Sequence, residues 1–257
     1  MSELIRFSFP LSQRMQTFLQ LQEGLQCLED AVRSEQPYLW LQACTDIRAS
    51  LCGEQGRKPA LPEVVVLLES MQGHLKKLAS EHPRFEAAIT ASCDDIKRHV
   101  EILQATSNRI PEMLTGDALI GGYLNALKKQ DWLGHKMGLP QALSALWANR
   151  ERRQQLHDQL GGLQEATGVL YRMLHDYVGW EARTAQGGGD QLTLEREGGF
   201  GLLIIGLEPD QVSQGIMPDL SGNRIAVRVR FQSWAPGKSI RQLEDDVPYH
   251  MMLVPVS

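Results

Sequence analysis

The chain reads as an α+β protein: a mostly helical bundle domain followed by a small antiparallel β domain that also takes up the N-terminal strand. Three observations carry this reading. Apolar residues recur at helical spacing from Ser12 to about residue 178. After Gly179 that period gives way to short strand-like runs separated by turn residues. A further alternating run, Ile5, Phe7 and Phe9 against Leu4, Arg6 and Ser8, stands alone near the N-terminus and stops at Pro10. A single strand is not stable, so it is expected to cross to the C-terminal sheet. The expected domains are 10–182, helical, and 3–9 plus 183–257, β.

Ser12 is a candidate N-cap for a first helix to about residue 35, with Met15, Phe18, Leu19, Leu25, Leu28 and Val32 as its stripe. Pro37 opens a second helix carrying Leu39, Leu41, Ala43, Ile47 and Leu51, ended by Gly53 and a loop with Gly56 and Pro59. Pro62, at the first helical position, starts a third helix to about Ser80, striped by Val65, Leu68, Met71 and Leu75 and broken at His82-Pro83. A fourth carries Phe85, Ile89, Ile96, Val100 and Leu103, and a fifth runs from Pro111 to about residue 129. After a Gly- and Pro-containing loop over 131–140, a last helix spans about 141–178. In it Leu156, Leu160, Leu163, Thr167, Leu170 and Leu174 alternate by four and three, either as a bundle-core stripe or as a short coiled-coil seam. Gly161-Gly162 inside this helix costs roughly 1 kcal/mol per residue relative to Ala, and marks a kink or a close helix contact. Gly187-Gly188-Gly189 reads as a flexible link.

The most informative strand is the run Asn223-Arg224-Ile225-Ala226-Val227-Arg228-Val229-Arg230-Phe231. Period two places Ile225, Val227, Val229 and Phe231 on one face and Arg224, Ala226, Arg228 and Arg230 on the other. Ser221-Gly222-Asn223 ahead of it is turn chemistry. Like charges along one strand face repel, so the row serves either an acidic partner or a solvated face balanced by nearby Asp and Glu. Arg150, Arg152 and Arg153 form a second basic cluster at the start of the last helix. Placed beside the strand row they would complete one positive cleft; otherwise they are a solvated helix face.

With 257 residues the chain can build one large or two modest cores. Its formal net charge of -5 argues against a general nucleic-acid binder, while a local basic patch on an acidic body favours a short acidic peptide. A nucleic-acid-binding module using strand 224–230 is the alternative. The N-terminal residues show no basic region followed by an apolar one, so no signal peptide is expected, and no apolar run is long enough to span a bilayer. Cys27, Cys44, Cys52 and Cys93 form no CxxC pair and suit reduced thiols in a cytosolic protein.

No metal-ligand spacing, Walker loop or nucleophile elbow occurs, so no enzyme activity, cofactor or metal is expected. Gly198-Gly199-Phe200-Gly201 precedes a strand rather than a helix and reads as a hairpin turn, not a phosphate loop. The seven histidines never pair at i,i+4, and Asp94-Asp95 and Asp245-Asp246 read as surface or turn residues.

Two stretches resemble the Z-ring-associated protein D (ZapD) family of cell-division proteins. Phe7-Ser8-Phe9-Pro10-Leu11-Ser12-Gln13-Arg14-Met15-Gln16-Thr17-Phe18-Leu19 is similar to the family's F-E-x-P-L-N-E-(K/R)-(M/I)-R-x-(W/F)-L opening. Pro218-Asp219-Leu220-Ser221-Gly222-Asn223-Arg224, continuing through Arg230-Phe231, is similar to its P-x-(I/L)-S-G followed by a basic alternating strand. The resemblance implies a non-enzymatic cytoplasmic homodimer at the mid-cell division site. Such a dimer binds the C-terminal tail of the tubulin-like GTPase FtsZ and bundles FtsZ filaments, without nucleic acid or membrane. It also implies a basic cleft whose strand residues fall on Arg224 and Arg230. A third family arginine falls on Ala226, with Arg228 one step along the same face. Basic family positions elsewhere fall on Gln20, near Ala118 and near Leu143.

Overall fold

A computed structural model describes residues 4–53, 58–106, 109–118, 120–123, 150–176, 179–194, 199–234, 237 and 239–256. The chain divides into two compact units, Met1–Gln16 with Arg172–Ser257, and Thr17–Tyr171.

The second unit is helical. Ser12 caps the helix that enters it: its hydroxyl accepts the Met15 amide at 3.2 Å, and α1 runs over Gln13–Arg33. Helix α2 spans Pro37–Cys52 and ends on Gly53 in the left-handed region. Helices α3, Ala60–Glu81, and α4, Glu86–Thr106, flank a 3₁₀ turn at Pro83–Phe85, the break that His82-Pro83 predicts. They are tied by Gln72, whose side-chain amide donates to the Cys93 carbonyl at 2.9 Å. Helix α5 covers Arg109–Gly116 and α6 covers Arg150–Asp176. The expected far end of the fifth helix and the 131–140 loop lie outside the described residues.

The buried stripes differ by single positions from the sequence reading. In α1 Leu21 and Ala31 are buried and Val32 is 42% exposed; in α3 Val64 and Leu67 join Leu68 and Met71. A 3.6-residue period tolerates such a one-step rotation of the buried face. In α6, Leu160, Leu163, Thr167, Leu170 and Leu174 are all buried within this one chain, as a bundle-core stripe requires. Gly162 is the close contact: a Cβ there would stand 2.7 Å from Ile102 of α4.

The other unit is two antiparallel sheets. The first has the order β1-β4-β8-β2 and the second β3-β6-β5, with β7 pairing β6. The strands are β1 Ile5–Pro10, β2 Glu181–Ala185, β3 Gly189–Thr193, β4 Phe200–Leu207, β5 Ile216–Gly222, β6 Ala226–Ser233, β7 Arg241–Gln242 and β8 Val247–Pro255. A short helix α7, Pro209–Ser213, follows β4. The N-terminal strand does cross to the C-terminal sheet, with Ile5 opposite Leu207 and Pro10 opposite Leu202. As an edge strand it accommodates Pro10, which has no amide to donate.

The sheets enclose a core of Leu203, Ile205, Val247, Tyr249 and Met251 from one and Leu192, Val227, Val229 and Phe231 from the other. Two expectations are corrected. Gly187-Gly188 is a tight turn with both residues at positive φ, not a flexible link; it hands the chain from β2 of one sheet to β3 of the other. The segment around Gly199 is not a hairpin turn, because β3 and β4 pair with different partners in different sheets. Gly198 lies outside the described residues.

Candidate peptide-binding face

Strand β6 is the middle of its sheet, and its two faces are chemically opposite. Val227, Val229 and Phe231 are fully buried in the intersheet core. Burying such side chains contributes roughly 1.5–3 kcal/mol each, which holds the strand's alternation in one register. The opposite face therefore points outward and carries Ala226, Arg228, Arg230 and Gln232. Register extends this face across the sheet. Arg228 stands opposite Gln191 of β3 and Ser221 of β5, and Arg230 opposite Gly189 and Asp219.

Arg224 departs from the sequence reading. The strand starts at Ala226, and Arg224 lies in the turn ahead of it, exposed. Asn223 builds that turn: its side-chain oxygen accepts the Ile225 amide at 2.8 Å, and its own amide donates to the Ala226 carbonyl at 2.9 Å. Ile225 falls with this turn and is 49% exposed, so it does not join the buried row.

The positive charges on this face have no ion-pair partner among the described residues. Asp219 faces Arg230 across the ladder, yet its carboxylate accepts the Gln232 amide at 3.1 Å. Among the described residues, Arg224, Arg228 and Arg230 form no ion pair or side-chain hydrogen bond. Arg228 is exposed and Arg230 half-buried. Other arginines of the same unit are engaged. Arg183 Nε lies 3.0 Å from Asp190 Oδ2, and Arg6 donates to the His175 carbonyl at 3.3 Å and stacks over Trp180. The unit thus uses some guanidinium groups to hold itself together and leaves the β6 row open.

Trp234 belongs to the same face and escapes a reading that stops at Phe231. Its amide donates to the Gly215 carbonyl at 2.8 Å, continuing the β5–β6 ladder beyond the strand, and its indole nitrogen donates to the Gln232 side-chain oxygen at 3.2 Å. The signal was available in the parity of residues 224, 226, 228, 230, 232 and 234.

The helix cluster belongs to the other unit. The backbone of Arg150 and Arg152 is in the first turn of α6, and their side chains lie outside the described residues. Arg153 is half-buried and lines a cavity of about 290 Å³ with Glu29, Arg33, Trp40 and His157, so it is not a plain solvated position. Gln20 is half-buried in α1, Ala118 is exposed, and Leu143 lies outside the described residues.

With this geometry in view, one likeness bears on it. The chain is 24% identical to cell division protein ZapD of Aromatoleum aromaticum. The match extends over 264 residues and covers 96% of each sequence. No protein-family model matches the chain. The likeness is distant, runs end to end, and supports a cell-division role. Among the described residues, no three or more His, Cys, Asp or Glu side chains gather as a metal site, and no helix is long and apolar enough to cross a membrane.

Proposed function

We propose that this protein is a non-enzymatic cell-division factor that binds the C-terminal tail of FtsZ and, as a homodimer in the cytoplasm at mid-cell, cross-links and bundles FtsZ filaments. The observation that carries the reading is the open guanidinium row: Arg224, Arg228 and Arg230 stand outward with no internal ion pair among the described residues. A row balanced by internal carboxylates would have supported the solvated-face alternative instead. The end-to-end likeness to a cell division protein supports the same reading.

The mechanism is electrostatic and geometric. Guanidinium groups give forked, charge-assisted bonds to tail carboxylates, and a sheet backed by a packed core holds them in fixed spacing. Arg150, Arg152 and Arg153 are proposed as further positive charge for the same acidic partner. Two tail sites on one dimer gain by effective concentration against a filament that displays many tails, so weak single sites suffice.

The test is a charge reversal of Arg224, Arg228 and Arg230 to Glu in the full chain. The variant should no longer sediment with FtsZ filaments, while its oligomeric state by analytical ultracentrifugation is unchanged. Bundling by the reversed variant would remove the strand as the site.

A further inference from the structure

The outer face of β6 changes character along its length. Arg228 and Arg230 occupy one end, with Arg224 in the turn ahead of it; Trp234, 52% exposed, follows the other end. Arg241 of β7 stands opposite Ser233, and continuing that antiparallel register by one step sets Ile240, 57% exposed, on the side of Trp234. Met217 of β5 faces Gln232 and is half-buried. Neighbouring exposed apolar side chains mark interaction sites, and tryptophan is among the residues most enriched as interface anchors.

We propose that Trp234 and Ile240 form the apolar end of a peptide-reading strip whose cationic end is the arginine row. The face then selects an extended acidic peptide with a large aliphatic side chain about four to six residues from its carboxylates. The spacing follows from the strand. Arg230 to Trp234 is four steps and Arg228 to Trp234 six, or about 13 and 20 Å at about 3.3 Å per residue, and an extended peptide rises by the same amount. The inference rests on the tail-binding reading for its partner and adds to it an order of features that charge alone does not supply.

Charge complementarity decides the occupant. A second copy of the same face would set arginine against arginine. A nucleic-acid backbone would meet Asp219 within the row and the acidic body of a chain of net charge -5. A short acidic peptide meets the same Asp219 and the same net charge with only a few charges, which the local arginine row can offset, whereas a polyanion needs broad neutralisation.

The experiment uses the full chain and fluorescence anisotropy with four labelled probes. They are the FtsZ tail peptide, a designed extended peptide with two Glu and a Leu about five residues away, the same peptide with Leu replaced by Ser, and an oligothymidine. Trp234→Ala should weaken binding of the Leu peptide about tenfold or more and leave the Ser peptide unchanged. Trp234→Phe should restore most of the loss, and unfolding temperatures should stay together because the side chain is exposed. Equal binding of the Leu peptide by wild type and Trp234→Ala overturns the inference, and the FtsZ reading survives if the tail still binds. Trp234-dependent binding of the designed peptide without tail binding upholds the inference and removes the FtsZ reading. Failure of both peptides removes both, and Trp234-dependent preference for oligothymidine overturns the inference in favour of nucleic acid.

Discussion

Tyr249 on β8 donates a hydrogen bond to Asp190 Oδ2 on β3 at 2.7 Å, joining two sheets that share no strand. Arg183 of β2 reaches the same oxygen through Nε at 3.0 Å, and the Gln191 amide donates to the other carboxylate oxygen at 2.7 Å. The Tyr249 ring packs on Phe231 with centroids 5.3 Å apart, directly behind the arginine row. This polar pin sets how the outward-facing sheet sits on the sheet that carries the N-terminal strand.

Removing one side of the pin should destabilise the β unit without touching the outer face. Tyr249→Phe leaves the buried ring in place and strips one donor from Asp190, so a loss of about 1–3 kcal/mol is expected. Denaturant titration of the full chain measures it. A double-mutant cycle with Asp190→Ala should show coupling, since each single change leaves the other group without its bond.

The pin also makes stability pH-dependent at both extremes. Burial alone would raise the Asp190 carboxyl, but the bonds from Arg183 and Tyr249 outweigh it and hold the group below its ordinary value. In the unfolded chain that carboxyl takes up a proton near pH 3.9. The stabilisation is therefore whole above about pH 4 and lost as pH falls below it. Burial, then the bond to Asp190, pushes the Tyr249 phenol above its ordinary value. Its contribution is whole below about pH 10 and lost as pH rises past that point. Unfolding free energy measured across pH should lose its acid slope in part in Asp190→Asn and its alkaline slope in part in Tyr249→Phe.

The turn between the sheets should discriminate sharply between adjacent glycines. Gly188 has φ of 72°, and a Cβ there would run into the Leu243 carbonyl oxygen, which is backbone and cannot swing away. Gly187 has φ of 56° and its nearest neighbour, the Glu244 carbonyl oxygen, would stand 3.6 Å from a new Cβ. Gly187→Ala should then cost about 1–2 kcal/mol from backbone conformation alone. Gly188→Ala should cost more than that, or leave the β unit unfolded. Circular dichroism on thermal unfolding separates the two.

What was legible in the residues follows from how local each signal is. The alternation of Val227, Val229 and Phe231 is a property of neighbours two apart, and it placed β6 within two residues of its observed start. Strand β5 went unread because Ile216–Gly222 contains Pro218, Asp219, Ser221 and Gly222, residues that usually mark turns. They are tolerated here because β5 is an edge, where a missing amide and a charged side chain do no harm to the ladder. Period two assigns Arg224 to the strand because it does not say where a turn ends; the Asn223 side chain decides that, through its bonds to the next amides. Arg153 read as part of an exposed cluster, and its burial depends on α1 and α2 residues more than a hundred positions earlier.

The order of residues by itself determined the helical and strand periods, the break at His82-Pro83, the crossing of an otherwise partnerless N-terminal strand, and a row of arginines on one side of β6. These depend on spacing along the chain and on the cost of leaving a strand unpaired. Only the tertiary structure decided that Asp219 turns to Gln232 rather than Arg230 and that Asp190 is claimed by Arg183 and Tyr249. Which carboxylate meets which cation is settled by residues brought together from distant positions, and no local pattern encodes that choice.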